Sequence, residues 1–380
     1  MKATFPHMGN MNICVKALLN ELGMDVVLPP PSSKRTIELG VKYSPEFACL
    51  PLKLNLGNFI EAHELGADTI IMGGGSGPCR FGYYAYVQKD ILADLGCNYE
   101  MIVLEPPSRG MGEILAKIKY LTGNNNWWRI WKAFRFAYEK AKTVDMVEMM
   151  ALKKRPREAV RGATDRWLQR ALEKVDKVAL AGDLKGATTE IKKEYYSIGE
   201  IKGKRVMKVA LSGEVFTVLD PFSNLDLEKK LGYLGVEVDR SIYLSEWVSE
   251  HLLGGVLRGV RPPRGAREAA CPFLQHFVGG HGQETVGNTV LYAREGFDGL
   301  VQVFPFTCMP EIIAESILPV VSNAMDIPVI SLIFDEYSGE AGMVTRLEAF
   351  VDLLEARKKR SLEEFHGCQD SKKNHGFSGS

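Results

Sequence analysis

The chain is expected to form two parallel-sheet α/β lobes with a helical segment between them, on three observations. Short apolar runs alternate with helix-periodic stretches over residues 2–110. From Gly110 to about Gly199 the alternation gives way to long helical periodicity, and it returns from Val206 to Phe334. Strands separated by helices imply βαβ crossovers and parallel pairing. The boundaries that follow are 1–109 for the first lobe, 110–203 for the helical segment, 204–365 for the second lobe and 366–380 for a disordered polar tail. A chain of 380 residues exceeds what a single core usually serves.

In the first lobe the spacing predicts strands at Lys2 to Phe5, Asp25 to Leu28, Asp68 to Met72 and Tyr99 to Leu104. Helices are expected over Asn10 to Leu22, Leu54 to Leu65 and from Cys79 to Leu95. The helical segment carries Trp127, Trp128, Trp131, Phe134 and Tyr138 at helical spacings, read as a buried packing face in preference to a cofactor wall. Lys153-Lys-Arg-Pro-Arg157 reads as a solvated loop. The second lobe resumes with Val206 to Leu211, Glu214 to Leu219, Val236 to Tyr243, Gly299 to Phe304 and Val329 to Phe334. Its helices are expected over Leu225 to Leu234, Ala266 to Phe277, Glu284 to Glu295, Glu311 to Met325 and Val344 to Lys359.

Lys plus Arg balance Asp plus Glu at 47 each, so the net charge is zero and no global basic field draws nucleic acid. The N-terminus lacks the apolar core of a signal peptide, and no run approaches the roughly 18 apolar residues of a membrane span. A cytoplasmic protein is expected. Seven cysteines without close-spaced grouping suit free thiols or metal ligands in that compartment.

The organising stretch is Asp68-Thr-Ile-Ile-Met-Gly-Gly-Gly-Ser-Gly-Pro-Cys79-Arg80, a strand stopped by glycines that turn sharply and present Cys79 at the strand's carboxyl end. Cys49, in Pro45-Glu-Phe-Ala-Cys-Leu-Pro-Leu-Lys53, precedes a helix. Cys308 follows the strand-like Val301-Gln-Val-Phe and also precedes a helix. Ligands of open α/β sheets bind outside the strand carboxyl ends, where three thiols can converge. Thiolates bind soft metals and iron-sulfur clusters, and three on a four-iron cluster leave one iron open to water or substrate. Spacing alone leaves incidental cysteines as an equal reading; the proline and glycine neighbours at strand-helix junctions favour ligands. Cys14 and Cys97 read as core residues, Cys368 as part of the tail, and Cys271 as the candidate for a fourth ligand. No Gly-Lys-Ser/Thr follows Gly74, Gly75 and Gly77, which excludes a Walker loop, and backbone access to a cluster or to a ligand beside it is read as their task. Arg80 and Lys53 are either steering cations for an anion or solvated, and His276 and His281, flanking Gly279-Gly280, read as loop residues.

These residues resemble the 2-hydroxyacyl-CoA dehydratase and benzoyl-CoA reductase family, especially its dehydratase-activase-related subgroup. The resemblance rests on Cys49-Leu-Pro-Leu-Lys53, on the glycine loop with Cys79, and on Phe304-Pro-Phe-Thr-Cys-Met-Pro310. It continues through Gly213-Glu214, Asn224, Asp335-Glu336 and Arg346. It implies two flavodoxin-like lobes and a [4Fe-4S] cluster on Cys49, Cys79 and Cys308, favoured over a double-cubane cluster that would also need Cys14, Cys97 and Cys271. It implies an ATP-dependent activase as electron source, a ferredoxin or flavodoxin donor, an acyl-CoA or other small substrate, and a homo- or heterodimer. Two functions remain open: a low-potential reductase or dehydratase component, and a noncatalytic iron-sulfur scaffold or electron relay. A third is a metal-free α/β ligand-binding protein.

Overall fold

The apolar runs pair into two sheets of the same design. The structure is a computed structural model that describes residues 1–75, 78–104, 117, 119–121, 123, 126–252, 259–261 and 264–374. In the first lobe β1 (Lys2–Thr4), β2 (Asp25–Val26), β3 (Thr69–Gly73) and β4 (Glu100–Leu104) form an all-parallel sheet in the order β2-β1-β3-β4. In the second, β5 (Met207–Gly213), β6 (Val236–Arg240), β7 (Gly299–Pro305) and β8 (Val329–Phe334) repeat the plan as β6-β5-β7-β8. The two-lobe expectation holds, and the shared strand order is the flavodoxin-like one. Residues of β3 and β7 are buried on both faces, as helices on either side of a parallel sheet require. At Gly213 a Cβ would fall 1.8 Å from the Val303 carbonyl oxygen, so only glycine lets β5 end against β7.

Helices α1 (Met11–Glu21), α2 (Lys34–Tyr43), α3 (Leu50–Glu64) and α4 (Phe81–Asp94) belong to the first lobe. Helix α2 is an addition to the sequence reading: Ser33 and Thr36 form a capping box that starts it. Cys49 therefore follows a helix and a loop, and the expected strand-helix junction at that residue is corrected to a helix-helix junction. Helix α3 is buried on all sides from Leu50 to Ala62. Leu52, Leu56, Phe59 and Ile60 pack into the first lobe's core, while Leu50 and Leu54 join the core of the second with Val209, Leu211, Val301 and Val303.

Helices α5 (Trp127–Lys154), α6 (Ala163–Lys177) and α7 (Leu184–Ser197) form the helical segment. Its core gathers Val147, Trp167, Val175 and Ile191, and the indole of Trp167 donates to the Ile191 carbonyl at 3.2 Å. The buried aromatic face is corrected in part. Tyr138 is buried, but Trp127, Trp128 and Trp131 are exposed, because the first turns of α5 run past the packed region. The basic run is corrected too: Lys154 and Arg155 are buried and paired with Glu200 and Asp165, and Arg157 pairs with Glu237 at 2.5 Å. Partners far along the chain turn an apparent solvated loop into an anchored one.

The second lobe's helices are α8 (Val215–Leu219), α9 (Leu227–Tyr233), α10 (Leu244–Trp247), α11 (Ala266–Ala270), α12 (Gly282–Arg294), α13 (Met309–Met325) and α14 (Glu340–Asn374). Helix α14 runs into the stretch expected as a tail; residues 375–380 lie outside the described residues. Among the described residues no helix is long and apolar enough to cross a membrane.

Candidate functional site

Cys49 and Cys308 share a local motif although not a place in the topology, since Cys308 follows β7 as Cys79 follows β3, and Cys49 precedes β3. Each stands at the N-cap of its helix, α3 or α13, and is followed by an apolar residue and a proline, Cys49-Leu-Pro and Cys308-Met-Pro. Proline in the first turn needs no amide partner, so the motif starts a helix sharply and leaves the cysteine at its mouth. Cys79 lies one residue before the N-cap of α4, after Gly73 to Gly75 and Pro78. All three thiols are free, with Cys308 buried and the other two half-buried.

The three share one electrostatic neighbourhood. Burial pushes the Cys49 thiol up to about 12, against a hydrogen bond with the Tyr84 hydroxyl, and raises Cys79 and Cys308 as well. The charge of Glu214 acts on all three, Cys49 acts on Cys308, and Tyr84 feels both Cys49 and Cys79. The first-turn amides of Leu52, Phe81 and Glu311 pull the respective thiols back, although Cys49 and Cys308 make no capping hydrogen bond of ordinary geometry. Glu214 caps α8, accepting from the amides of Phe216 at 3.0 Å and Thr217 at 2.9 Å; burial raises its carboxyl above the ordinary range.

The remaining thiols go elsewhere. Cys14 is buried in α1 near Asp145 and Glu148, Cys97 is buried near Glu64, and Cys271 is exposed and donates to the Arg267 carbonyl. The Gly74 amide donates to Leu104 O at 2.8 Å, and at Gly75 a Cβ would lie 3.1 Å from the Phe81 ring. Gly77 lies outside the described residues. His276 is exposed and His281 is the N-cap of α12. Lys53 is neither a steering cation nor solvated: it is 4% exposed and paired with Glu336 at 2.5 Å, because the first turn of α3 is enclosed by the second lobe. Arg80 is exposed, and its guanidinium donates to Phe47 and Thr307. Asn224 braces the α8–α9 turn through Thr217 O and the Leu227 amide, and Arg346 donates to Ser331 O.

Sequence reading missed Tyr84, Gly279 and Glu311. Gly279 has φ +91°, and a Cβ there would come within 2.8 Å of Pro78 Cγ and 3.1 Å of the Cys79 nitrogen, so the second lobe seats the Cys79 loop on bare backbone. Glu311, three residues after Cys308, is buried with Thr285 and Gln302 as donors and is pushed up to about 8 by burial. The Gly279-Gly280 pair and the repeated Cys-x-Pro were visible signals for part of this.

The family model described as the CoA enzyme activase uncharacterised domain (DUF2229) matches residues 7–240. The chain belongs to that family. The matched span contains Cys49, Cys79 and Glu214 and ends before Cys308, so the third thiol sits in a part of the chain that the family model does not reach. No curated protein matches the chain significantly. Among the described residues no three His, Cys, Asp or Glu side chains stand close enough to hold a single metal ion. The thiolates of a cubane bind different irons and do not share one ion.

Proposed function

We propose that Cys49, Cys79 and Cys308 hold a [4Fe-4S] cluster between the lobes, and that the protein is a redox component of a CoA-enzyme system of the 2-hydroxyacyl-CoA dehydratase or benzoyl-CoA reductase type. The observation that supports this is that the loops of three free thiols meet at Arg80, which follows Cys79 and donates to the carbonyls of Phe47 and Thr307 beside Cys49 and Cys308. The donor set fits the group: soft sulfur ligands in a partly enclosed setting, with first-turn amides and the Arg80 charge to offset an anionic centre. Bound there, the cluster would supply low-potential one-electron chemistry, with an iron open to a substrate oxygen.

The chain's own part is to bind, orient and exclude water. The raised thiols release protons on ligating metal, so loading favours higher pH. Burial raises the Glu214 carboxyl by disfavouring its charged form beside the thiols. Cys14, Cys97 and Cys271, with their separate surroundings, favour a single cubane over a double one. An ATP-dependent activase fed by ferredoxin or flavodoxin is the electron source in this reading, and an acyl-CoA the substrate. Reduction of anaerobically purified protein by dithionite tests it: an EPR signal of a reduced cubane is expected, altered by added acyl-CoA if one iron is open. An unaltered signal would favour the relay, and a colourless protein without iron or sulfide would defeat both.

A further inference from the structure

The candidate site is assembled from loops of both lobes, and one side chain is bonded across them. Arg80 Nη1 donates to the Phe47 carbonyl at 3.0 Å, two residues before Cys49. Its Nη2 donates to the Thr307 carbonyl at 2.7 Å and to Thr307 Oγ1 at 2.8 Å, one residue before Cys308. Arg80 itself follows Cys79. The triangle is closed by Thr307 Oγ1, which donates to the same Phe47 carbonyl at 3.2 Å.

We propose that Arg80 is a positioning residue: its guanidinium latches the two lobes together and sets the register of the three cysteine-bearing loops. This rests on the reading of those cysteines as a joint site. The ordinary alternative is a solvated surface arginine. Against it, Arg80 reaches segments 33 and 227 residues away and, among the described residues, makes no ion pair with a carboxylate. Two of its three acceptors are backbone oxygens, whose positions are fixed by the fold and not by side-chain rotation. A planar fork can serve acceptors in two directions at once, which the point charge of a lysine does not do.

Two further features depend on such a latch. Thr307 has φ +69°, a left-handed conformation that a β-branched residue disfavours. That conformation turns both its carbonyl and its hydroxyl toward Arg80, and hydrogen bonds from Phe306 N to Phe334 O and from Cys308 N to Pro305 O hold the turn from behind. On the other side, Gly279 abuts Pro78 and Cys79. The Cys79 loop thus meets the second lobe on two sides, at a glycine wall that only excludes and at Thr307, which accepts from Arg80.

The test needs no metal. In reduced, metal-free protein, alkylation of each cysteine by a maleimide is followed by mass spectrometry. Cys49 and Cys308 should react slowly in the natural protein. Arg80→Ala should speed both by about tenfold or more, as expected for losing several charge-assisted hydrogen bonds, while Cys14 and Cys97 stay slow. Arg80→Lys should behave like Arg80→Ala, and millimolar guanidinium should restore slow labelling to Arg80→Ala alone. Natural rates in Arg80→Lys, or equal acceleration at Cys14 and Cys97, would overturn the proposal. If Arg80→Ala does not fold, Thr307→Ala decides by the same readout, with a few-fold acceleration expected and an unchanged rate contradicting the latch. The outcome is separable from the cluster reading. Selective labelling in a protein that never binds iron would keep the latch and sink the cluster, whereas natural labelling rates with full iron in Arg80→Lys would do the reverse.

Discussion

The two lobes share a strand order but not a share of the core. The first lobe's strands have 3, 2, 5 and 5 residues, against 7, 5, 7 and 6 in the second, too little sheet to cover α3 by itself. Helix α3 is therefore lodged in both cores, with Leu50 and Leu54 among the second lobe's side chains. The consequence concerns the site: Cys49 packs against the smaller lobe's core, but the helix it starts is lodged in both. The relation of its thiol to Cys308 is set by packing between lobes, which a pair of independently folded sheets would not provide. A second contrast lies within the repeated motif. Cys49-Leu-Pro is followed by Leu52, Cys308-Met-Pro by the buried acid Glu311.

The strongest way to break this comparison is Leu54→Ala. Leu54 is fully buried, and truncation should cost about 3 kcal/mol of whole-chain stability in urea unfolding. A loss under about 1 kcal/mol would mean that α3 is not shared. Next is Lys53→Met, which leaves Glu336 without its partner in a largely enclosed position; a loss of about 2 kcal/mol is expected, mostly recovered in the double variant with Glu336→Gln. Equal losses in single and double variants would remove the pair from the interface.

Glu311 sharpens the contrast through pH. Its folded-state value of about 8 stands above the ordinary 4.5, so the folded chain keeps a proton that the unfolded chain releases. Stability should then fall as pH rises from about 4.5 to about 8 and level off beyond it. Glu311→Gln should flatten this part of the profile. An unchanged profile would show that Glu311 ionises normally. Asp145, raised to about 7 by burial, adds to the same trend and remains in the variant, so a residual slope is expected.

Much of the fold was legible because strands such as Val329–Phe334 are apolar but for one serine and start after a proline. Helix α2 was not, since Ile37, Leu39, Val41 and Tyr43 fall on alternate positions and imitate a strand. The tryptophans at the start of α5 kept helical spacing, but periodicity does not say which turns project beyond a core. Three cysteine loops were recognisable from proline and glycine neighbours. The roles of Lys53 and Arg80 were not, because Glu336 lies 283 residues from Lys53 and the acceptors of Arg80 are mostly carbonyls, which carry no residue-type signature.

The central claim is that the thiols at 49, 79 and 308 act as one ligand set, and iron and acid-labile sulfide content measured anaerobically on single Cys→Ala variants tests it most directly. The natural protein should carry close to one cubane per chain; Cys49→Ala, Cys79→Ala and Cys308→Ala should each lose most of it while remaining folded, and Cys14→Ala and Cys271→Ala should retain it. Full iron retention in any of the first three, or equal loss in all five, would contradict the account.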